Sequence, residues 1–140
     1  MTHTKISCVS RALLAAVAVT MASAGCAAPA TAPEVSGQRA FDAYKAGNKA
    51  GVNQQLSRVD QVSAAFFCQG DGWDCMLQSY HGLGANQSHI VEVTRKTDAS
   101  ARVQLKTTWE KYPAPLCQEY SVDRTDAGWG ISYIDVLKKC

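Results

Sequence analysis

The sequence predicts an α+β fold in which N-terminal helices pack against one face of an antiparallel sheet. Two observations support this prediction. Apolar residues recur at helical spacing as far as about Tyr80, whereas from Ser88 onward they alternate with polar residues, as in β-strands. Helices followed by a run of strands are typical of an α+β domain. Residues 26–140 are enough for one such domain with one core.

The N-terminus has the features of an export signal. Lys5 and Arg11 precede an uncharged run, residues 12–25, that is rich in Ala, Val and Leu. A basic start, a short apolar stretch and small residues before a cleavage point are typical of a secretory signal. The run is shorter than the roughly 20 apolar residues that span a bilayer. We therefore interpret residues 1–25 as a signal peptide.

The cleavage site has two interpretations. Ala22-Ser23-Ala24 fits an ordinary signal peptidase, but residues 22–26 also resemble a bacterial lipobox that ends at Cys26, with Ser23 where Leu or Val is usual. Lipidation of Cys26 leaves an even number of cysteines to pair, which favours the lipobox. The resemblance implies acyl chains such as palmitate on Cys26. These would anchor the protein in the cell envelope, at the outer face of the cytoplasmic membrane or at the outer membrane.

Charge limits the kinds of partner. The full chain has 14 Lys and Arg against 12 Asp and Glu, and removal of residues 1–25 takes away two basic residues and no acidic one. The remaining chain is balanced, so the basic footprint of a nucleic-acid-binding protein is missing. We expect no nucleic acid partner. The expected contacts are the membrane, through Cys26, and a protein of the envelope.

Helical spacing predicts four helices behind a linker. Residues 26–36 are Ala-rich and contain Pro29 and Pro33, so they are interpreted as an extended linker before a domain at 37–140. Ser36 and Asn48 are expected to cap the first two helices, and Gly47 to end the first. The predicted helices cover residues 37–46, 49–56, 60–68 and 73–80.

Alternation predicts four strands, with Pro113 and Pro115 interrupting the sheet between the second and the third. The last two strands form a hairpin around a turn at residues 125–128, and their apolar residues share one face when Val122 lies opposite Ile131. The same register pairs Tyr120 with Tyr133 and Leu116 with Leu137. The predicted strands cover residues 88–95, 102–109, 116–122 and 129–137.

Four cysteines remain in the domain of an exported chain, where disulfides persist. We favour Cys68–Cys75, which closes a short loop, and Cys117–Cys140, which fixes the C-terminus. The alternative joins Cys68 and Cys75 to the other two in some order. The predicted register places Cys117 opposite Val136, so its bond to Cys140 requires the chain to bend back. A C-x₂-C pair is missing from the sequence, and we expect no metal and no cofactor.

Two segments carry a family resemblance. Residues 41–50, Phe-Asp-Ala-Tyr-Lys-Ala-Gly-Asn-Lys-Ala, resemble the opening of NTF2-like domains, in which a helix ends at Gly-Asn and a short helix follows. Residues 126–134, Asp-Ala-Gly-Trp-Gly-Ile-Ser-Tyr-Ile, resemble their last hairpin. The resemblance implies a cystatin-like cone, a half-barrel in which a curved four-stranded sheet wraps around the helices, as in small bacterial lipoproteins with this domain. It implies no function, because this fold serves many.

The resemblance also implies where a site would lie. The aromatic residues that could line a pocket inside the cone are Tyr44, Trp109, Tyr120 and Tyr133. The alternative is that these rings fill the core. The polar candidates for chemistry have simpler explanations as turn, loop or strand residues, and we assign no catalytic residue. These candidates are Asp71, Asp74, His81 and His89.

The function predicted from the sequence is that of a membrane-anchored lipoprotein with a non-catalytic binding or assembly domain. Two alternatives remain open. One is a carrier of a small ligand or lipid that uses the cone interior. The other is an inhibitor of an envelope enzyme, with the loop around Trp73 as its inserting element.

Overall fold

The computed structural model describes residues 28–58 and 68–140. The predicted signal peptide, the lipidation site Cys26 and nearly all of the helix predicted at 60–68 lie outside these ranges. The elements are α1 (Pro33–Lys45), α2 (Lys49–Asn53), α3 (Gly72–Tyr80), β1 (Asn86–Lys96), β2 (Ser100–Trp109), β3 (Tyr112–Thr125), β4 (Gly128–Ile134) and β5 (Lys138–Lys139).

The strands form one antiparallel sheet in the order β1-β2-β3-β4, with β5 also paired to β3. Helix α1 crosses one face of this curved sheet and contacts β1, β2, β3 and β4. The predicted α+β fold with helices on a curved antiparallel sheet is confirmed. In the part of the chain described, no helix has both the length and the apolar character that crossing a membrane requires.

The first helix begins earlier than the sequence suggests. Pro33 occupies its first turn, where the missing N–H costs nothing and the fixed φ suits a helix. Ser36, expected as the cap, lies fully buried inside α1, and its hydroxyl donates to the Pro33 carbonyl at 2.8 Å. The expectation of an extended linker up to residue 36 is therefore wrong for residues 33–36.

The cap of α2 was predicted from the sequence, whereas the cap of α3, at residues predicted to form a turn, was not. The Asn48 side chain accepts the Gly51 N–H at 2.9 Å and caps α2, while Gly47 has φ +69° at the end of α1. Asp71 and Asp74 form a capping box at α3, each carboxylate accepting the other residue's backbone N–H. Burial raises the pKa of Asp71, but these bonds and one from Asn53 outweigh it and leave the pKa below its usual value.

Strand β3 does not break at the prolines. It continues from Tyr112 to Thr125, so the expected interruption at Pro113 and Pro115 is wrong. Both prolines lie near the start of the strand, outside its pairing with β4, where a missing N–H is tolerated. The Pro115 carbonyl is used, since it accepts the Cys140 N–H at 3.2 Å.

The register predicted for the β3–β4 hairpin is correct only at the end next to the turn. Val122 pairs with Ile131 as predicted, but an irregularity between Ser121 and Val122 shifts the remaining pairs. Tyr133 therefore faces Ser121, and the predicted pair of Tyr120 with Tyr133 is wrong. Further along β3, the predicted partners of Leu116 and Cys117 are also wrong. The observed pairs are Tyr120–Ile134, Leu116–Lys139 and Cys117–Lys138.

The pairing of β5 with β3 explains how the C-terminus is fixed. It places Lys138 opposite Cys117, so Cys140 lies beside β3 without a reversal of the chain, and the Cys117 and Cys140 Cα atoms are 5.1 Å apart in a disulfide. A second disulfide joins Cys68 to Cys75, whose Cα atoms are 5.3 Å apart. These are the two pairs that the sequence favoured.

The outer edge of β4 is covered by other parts of the chain. Leu56 forms a parallel bridge with Ile131, the Ser57 N–H donates to the Ile131 carbonyl, and the Trp129 N–H donates to the Ala30 carbonyl. The opposite edge strand, β1, pairs only with β2 within the described residues.

Candidate functional site

A cleft of about 370 Å³ opens at the end of the sheet where β1 begins and β2 ends. The C-terminal turn of α1, one face of α3 and the loop before β1 form its walls. Its lining residues are Tyr44, Lys45, Trp73, Leu77, Tyr80, Gly84, Ala85, Asn86 and Trp109.

Four aromatic rings define this cleft. The Tyr80 ring stacks on Trp109, with centroids 4.9 Å apart and planes at 27°. The Tyr44 ring lies between Trp73 and Tyr80, at 5.4 Å and 5.3 Å. Phe41 packs edge-on against Tyr80, with the ring centroids 5.6 Å apart. Offset and edge-on contacts of this kind hold the rings in fixed orientations. We call Tyr44, Trp73, Tyr80 and Trp109 the aromatic cleft.

Helical spacing places these rings on the cleft side of two helices. Phe41 and Tyr44 are three residues apart on α1, and Trp73, Leu77 and Tyr80 follow one face of α3 at intervals of four and three. Trp109 is the last residue of β2, and its indole N–H donates to the Thr107 hydroxyl at 2.8 Å.

Below the cleft, the interior is closed by a buried polar cluster around Gln118. Its amide nitrogen donates to the Ser79 hydroxyl at 2.8 Å and to the Asp135 carbonyl at 2.9 Å. Its amide oxygen accepts from the Tyr80 hydroxyl and, at 3.2 Å, from the Tyr120 hydroxyl. Gln118 and Tyr120 are fully buried.

Both buried phenols of this cluster resist ionisation. Burial raises the pKa of Tyr80 well above its usual value, and the neighbouring Tyr120 raises it further. Burial also raises the pKa of Tyr120, although its hydrogen bond with Tyr80 acts in the opposite direction. The cluster therefore stays neutral near neutral pH, and its buried side chains form the floor of the cleft.

The four predicted pocket residues separate in the structure. Tyr44 and Trp109 line the cleft. Tyr120 lies beneath it, behind Tyr80. Tyr133 is on β4 opposite Ser121 and is not among the lining residues.

The sequence analysis did not assign Tyr80 or Gln118 to a site, and it assigned Trp73 to an inserting loop and not to a pocket. The spacing of Trp73, Leu77 and Tyr80 was a usable signal, because it marks one helix face. Gln118 has the same strand parity as Leu116, Tyr120 and Val122, which indicates an inward position.

Of the polar candidates, which lie outside the cleft, Asp71 and Asp74 lie together, whereas His81 and His89 lie elsewhere. Asp71 and Asp74 are the capping box of α3, and exposed His81 follows that helix. His89 is on β1, with its Nε2 2.9 Å from the Gln38 amide nitrogen and 3.9 Å from an Asp42 oxygen. Among the residues described, no three His, Cys, Asp or Glu side chains form a group that could hold a metal ion.

No protein-family model matches the sequence, and no curated protein matches it. Solved structures do. The chain is similar to a protein from Thiobacillus denitrificans described as a candidate calcium/calmodulin-dependent protein kinase type II association domain. That match has 12% identity, covers 80% of this chain and 98% of the other, and has a TM-score of 0.57.

Rv3472, a protein of unknown function from Mycobacterium tuberculosis, matches at 12% identity over 76% of this chain and 73% of its own, with a TM-score of 0.51. An NTF-2-like protein of unknown function from Shewanella oneidensis matches at 18% identity over 72% of this chain and 92% of its own, with a TM-score of 0.48. At these identities the similarity concerns the fold alone.

Proposed function

We propose that this chain is a lipid-anchored protein of the bacterial cell envelope whose domain binds a partner, without catalysis, through the aromatic cleft. The observation that carries this proposal is the set of four preoriented rings around an open space of about 370 Å³. Tyr and Trp provide large, rigid contact areas and are enriched among the residues that dominate binding energy.

The chemistry of the lining residues favours binding. The cleft has one cation, Lys45, one amide, Asn86, and two phenols. Carboxylate, imidazole and thiol groups are missing from its described lining residues. The raised pKa of Tyr80, together with its bond to Gln118, makes this phenol a poor proton donor or acceptor near neutral pH. A general acid or base suited to neutral pH is therefore lacking at the cleft.

The shape of the interior separates the alternatives. The cone is filled below the cleft by Tyr120, Gln118 and Phe41, which are fully buried, so the described residues leave no channel for a long acyl chain below the cleft. A carrier of extended lipids is disfavoured. The cleft volume lies within the range of small-molecule sites, roughly 300–1,000 Å³. It suits a flat group, either an aromatic side chain of a protein partner or a ring of a small ligand.

The inhibitor alternative loses its inserting element. Trp73 lies in the first turn of α3, half-buried against Tyr44, and the Cys68–Cys75 disulfide holds the preceding residues against that helix. Trp73 therefore contributes to the wall of the cleft and does not project from the surface.

Two disulfides in the described domain support export, because such bonds persist in oxidising compartments and are rare in the cytosol.

We expect Cys26→Ser to move the protein from the membrane fraction to the soluble fraction, and Cys8→Ser, in the signal region, to leave it in the membrane fraction. Fractionation and mass spectrometry of the mature N-terminus test this. A Cys26→Ser protein that stays with membranes would show that the anchor lies elsewhere.

Binding at the cleft is tested by site-specific photocrosslinking in intact cells. Leu77 is 43% exposed at the cleft and Ile90 is 54% exposed on β1, so a photoreactive amino acid at each position gives a matched pair. We expect a discrete adduct from position 77 that disappears in Trp73→Ala, and none from position 90. Equal adducts from both positions would count against the cleft as the binding site. The mass of the adduct distinguishes a protein from a small ligand.

A further inference from the structure

The chain before α1 is fixed to one end of the sheet. The Ala30 carbonyl accepts the Trp129 N–H at 3.1 Å, and the Arg39 guanidinium donates to the Ala28 carbonyl. Ala30 is only 5% exposed. Gly128 has φ +106°, and a Cβ there would lie 2.7 Å from the Ala30 oxygen. These contacts hold residues 28–30, which we call the tether because they follow the proposed lipidation site Cys26, against the turn between β3 and β4.

Two turns and the tether meet at this end. The Arg124 N–H donates to the Ala99 carbonyl at 2.8 Å, which places the β1–β2 turn beside the end of β3. We call residues 28–30, 97–99 and 126–127 the tether end. Cys26 is two residues before Ala28, so covalent geometry limits the distance between their Cα atoms to about 7.6 Å.

The aromatic cleft lies at the opposite end. Strand β2 runs from Ser100, next to the tether end, to Trp109 in the cleft. Nine steps of about 3.3 Å separate the two ends by roughly 30 Å. Helix α1 runs in the same direction, from Pro33 towards Tyr44.

We propose that the lipidated protein rests on the phospholipid surface by its tether end and holds the aromatic cleft towards the aqueous compartment. This inference depends on the proposed lipidation of Cys26. Acyl chains buried in the bilayer keep Cys26 at the headgroup layer. A tether this short does not let the domain turn over while Ala30 stays in place. The cleft therefore takes its partner from the aqueous side and not from the acyl interior.

Net charge does not set this orientation. Asp98 and Asp126 belong to the tether end, and three basic residues adjoin it: Lys96 and Arg124, next to the two turns, and Arg39, whose guanidinium donates to the Ala28 carbonyl. A mixed surface gives little net attraction to anionic headgroups, and salt screens what remains. The short tether is the orienting element, so the orientation is independent of ionic strength.

The test uses lipidated full-length precursor processed in cells, purified from membranes and placed in vesicles of phosphatidylethanolamine and phosphatidylglycerol. An azide-bearing amino acid replaces either Asp126, at the tether end, or Gln87, beside the cleft. Both positions are exposed and accept a fluorophore. The vesicles carry a short-range quencher on a lipid headgroup. We expect several-fold stronger quenching at position 126 than at 87, unchanged when salt is raised.

A matched variant with a flexible Gly-Ser insertion after Ala27 should abolish the difference, because a long tether no longer orients the domain. Equal quenching at both positions without the insertion, or stronger quenching at 87, overturns the orientation. Recovery in the soluble fraction overturns lipidation itself, and the orientation with it. The two failures are distinguishable because fractionation is read before quenching.

Discussion

Gln118 shows how one side chain closes the interior of the domain. A buried amide offers two donors and an acceptor oxygen with two positions, and here all four are used. The bonds link α3, β3 and the segment after β4. A polar group without partners would be costly at this depth, so the cluster specifies how the helix sits on the sheet.

Replacing this amide should be costly. Gln118→Leu leaves the Tyr80 and Tyr120 hydroxyls without their shared acceptor and the Asp135 carbonyl without its donor. We expect a loss of about 2–4 kcal/mol in the free energy of unfolding. Urea denaturation under non-reducing conditions measures it. Gln87→Leu, on the exposed part of β1, is the control and should change stability by no more than about 0.5 kcal/mol. Similar losses in both variants would contradict a structural role for the cluster.

The two buried phenols also predict a pH dependence. The unfolded chain releases their protons near pH 10, whereas the folded chain keeps them to higher pH because burial raises the pKa of Tyr80 and Tyr120. Their contribution to stability is fully present below about pH 10 and is lost as pH rises towards the folded-state values. Thermal unfolding by circular dichroism should show a steep fall above that pH.

Tyr120→Phe separates titration from simple loss of packing. It should lower stability at neutral pH by about 1–2 kcal/mol, because the hydroxyl loses its hydrogen bonds with Gln118 and Tyr80, and it should make the fall above about pH 10 shallower. An unchanged slope would show that Tyr120 does not contribute to alkaline unfolding.

At the scale of elements, the β3–β4 turn has a second task besides joining two strands. Gly128 is required both by its positive φ and by the nearness of the Ala30 oxygen. The turn thereby forms the surface against which the tether packs, which we call its seat, and the Trp129 N–H donates the hydrogen bond to the Ala30 carbonyl. A change at one glycine thus affects the strand connection and the start of the domain together.

Gly128→Ala should therefore lower the stability of the fold more than replacement of a glycine whose added Cβ causes backbone strain but no steric clash. We expect about 2–4 kcal/mol for Gly128→Ala and about 1 kcal/mol for Gly82→Ala, whose φ is +77° and whose Cβ would have nothing within 4 Å. Urea denaturation measures both. Limited proteolysis should also cut the residues before α1 faster in Gly128→Ala only. Equal proteolysis in both variants would mean that the seat does not hold the tether.

For the whole molecule, local patterns predicted the element types and distant contacts decided the details. Alternation identified the strands and the Val122–Ile131 pair. The irregularity after Ser121 was not predicted, because the alternation of apolar and polar residues does not mark where one strand gains a residue against its partner. Pro33 was ambiguous, since proline fits both a linker and the first turn of a helix.

The cleft was predictable only in part for a similar reason. Tyr44 and Trp109 are aromatic residues in elements expected to face the cone, so the sequence identified them. Joining them to Trp73 and Tyr80 requires the placement of α3 against α1, which comes from tertiary packing. Gln118 was overlooked because a polar residue inside a strand is ordinarily expected on the wet face.

The two edges of the sheet are protected from intermolecular strand pairing in different ways. Leu56, Ser57 and Ala30 cover the outer side of β4, and another molecule cannot add a strand there without displacing them. Strand β1 is eleven residues long and has no such cover within the described part. It carries Glu92, Arg95 and Lys96, and charged side chains on an edge oppose intermolecular strand pairing. Resistance to aggregation thus depends on covering chain at one edge of the sheet and on charge at the other.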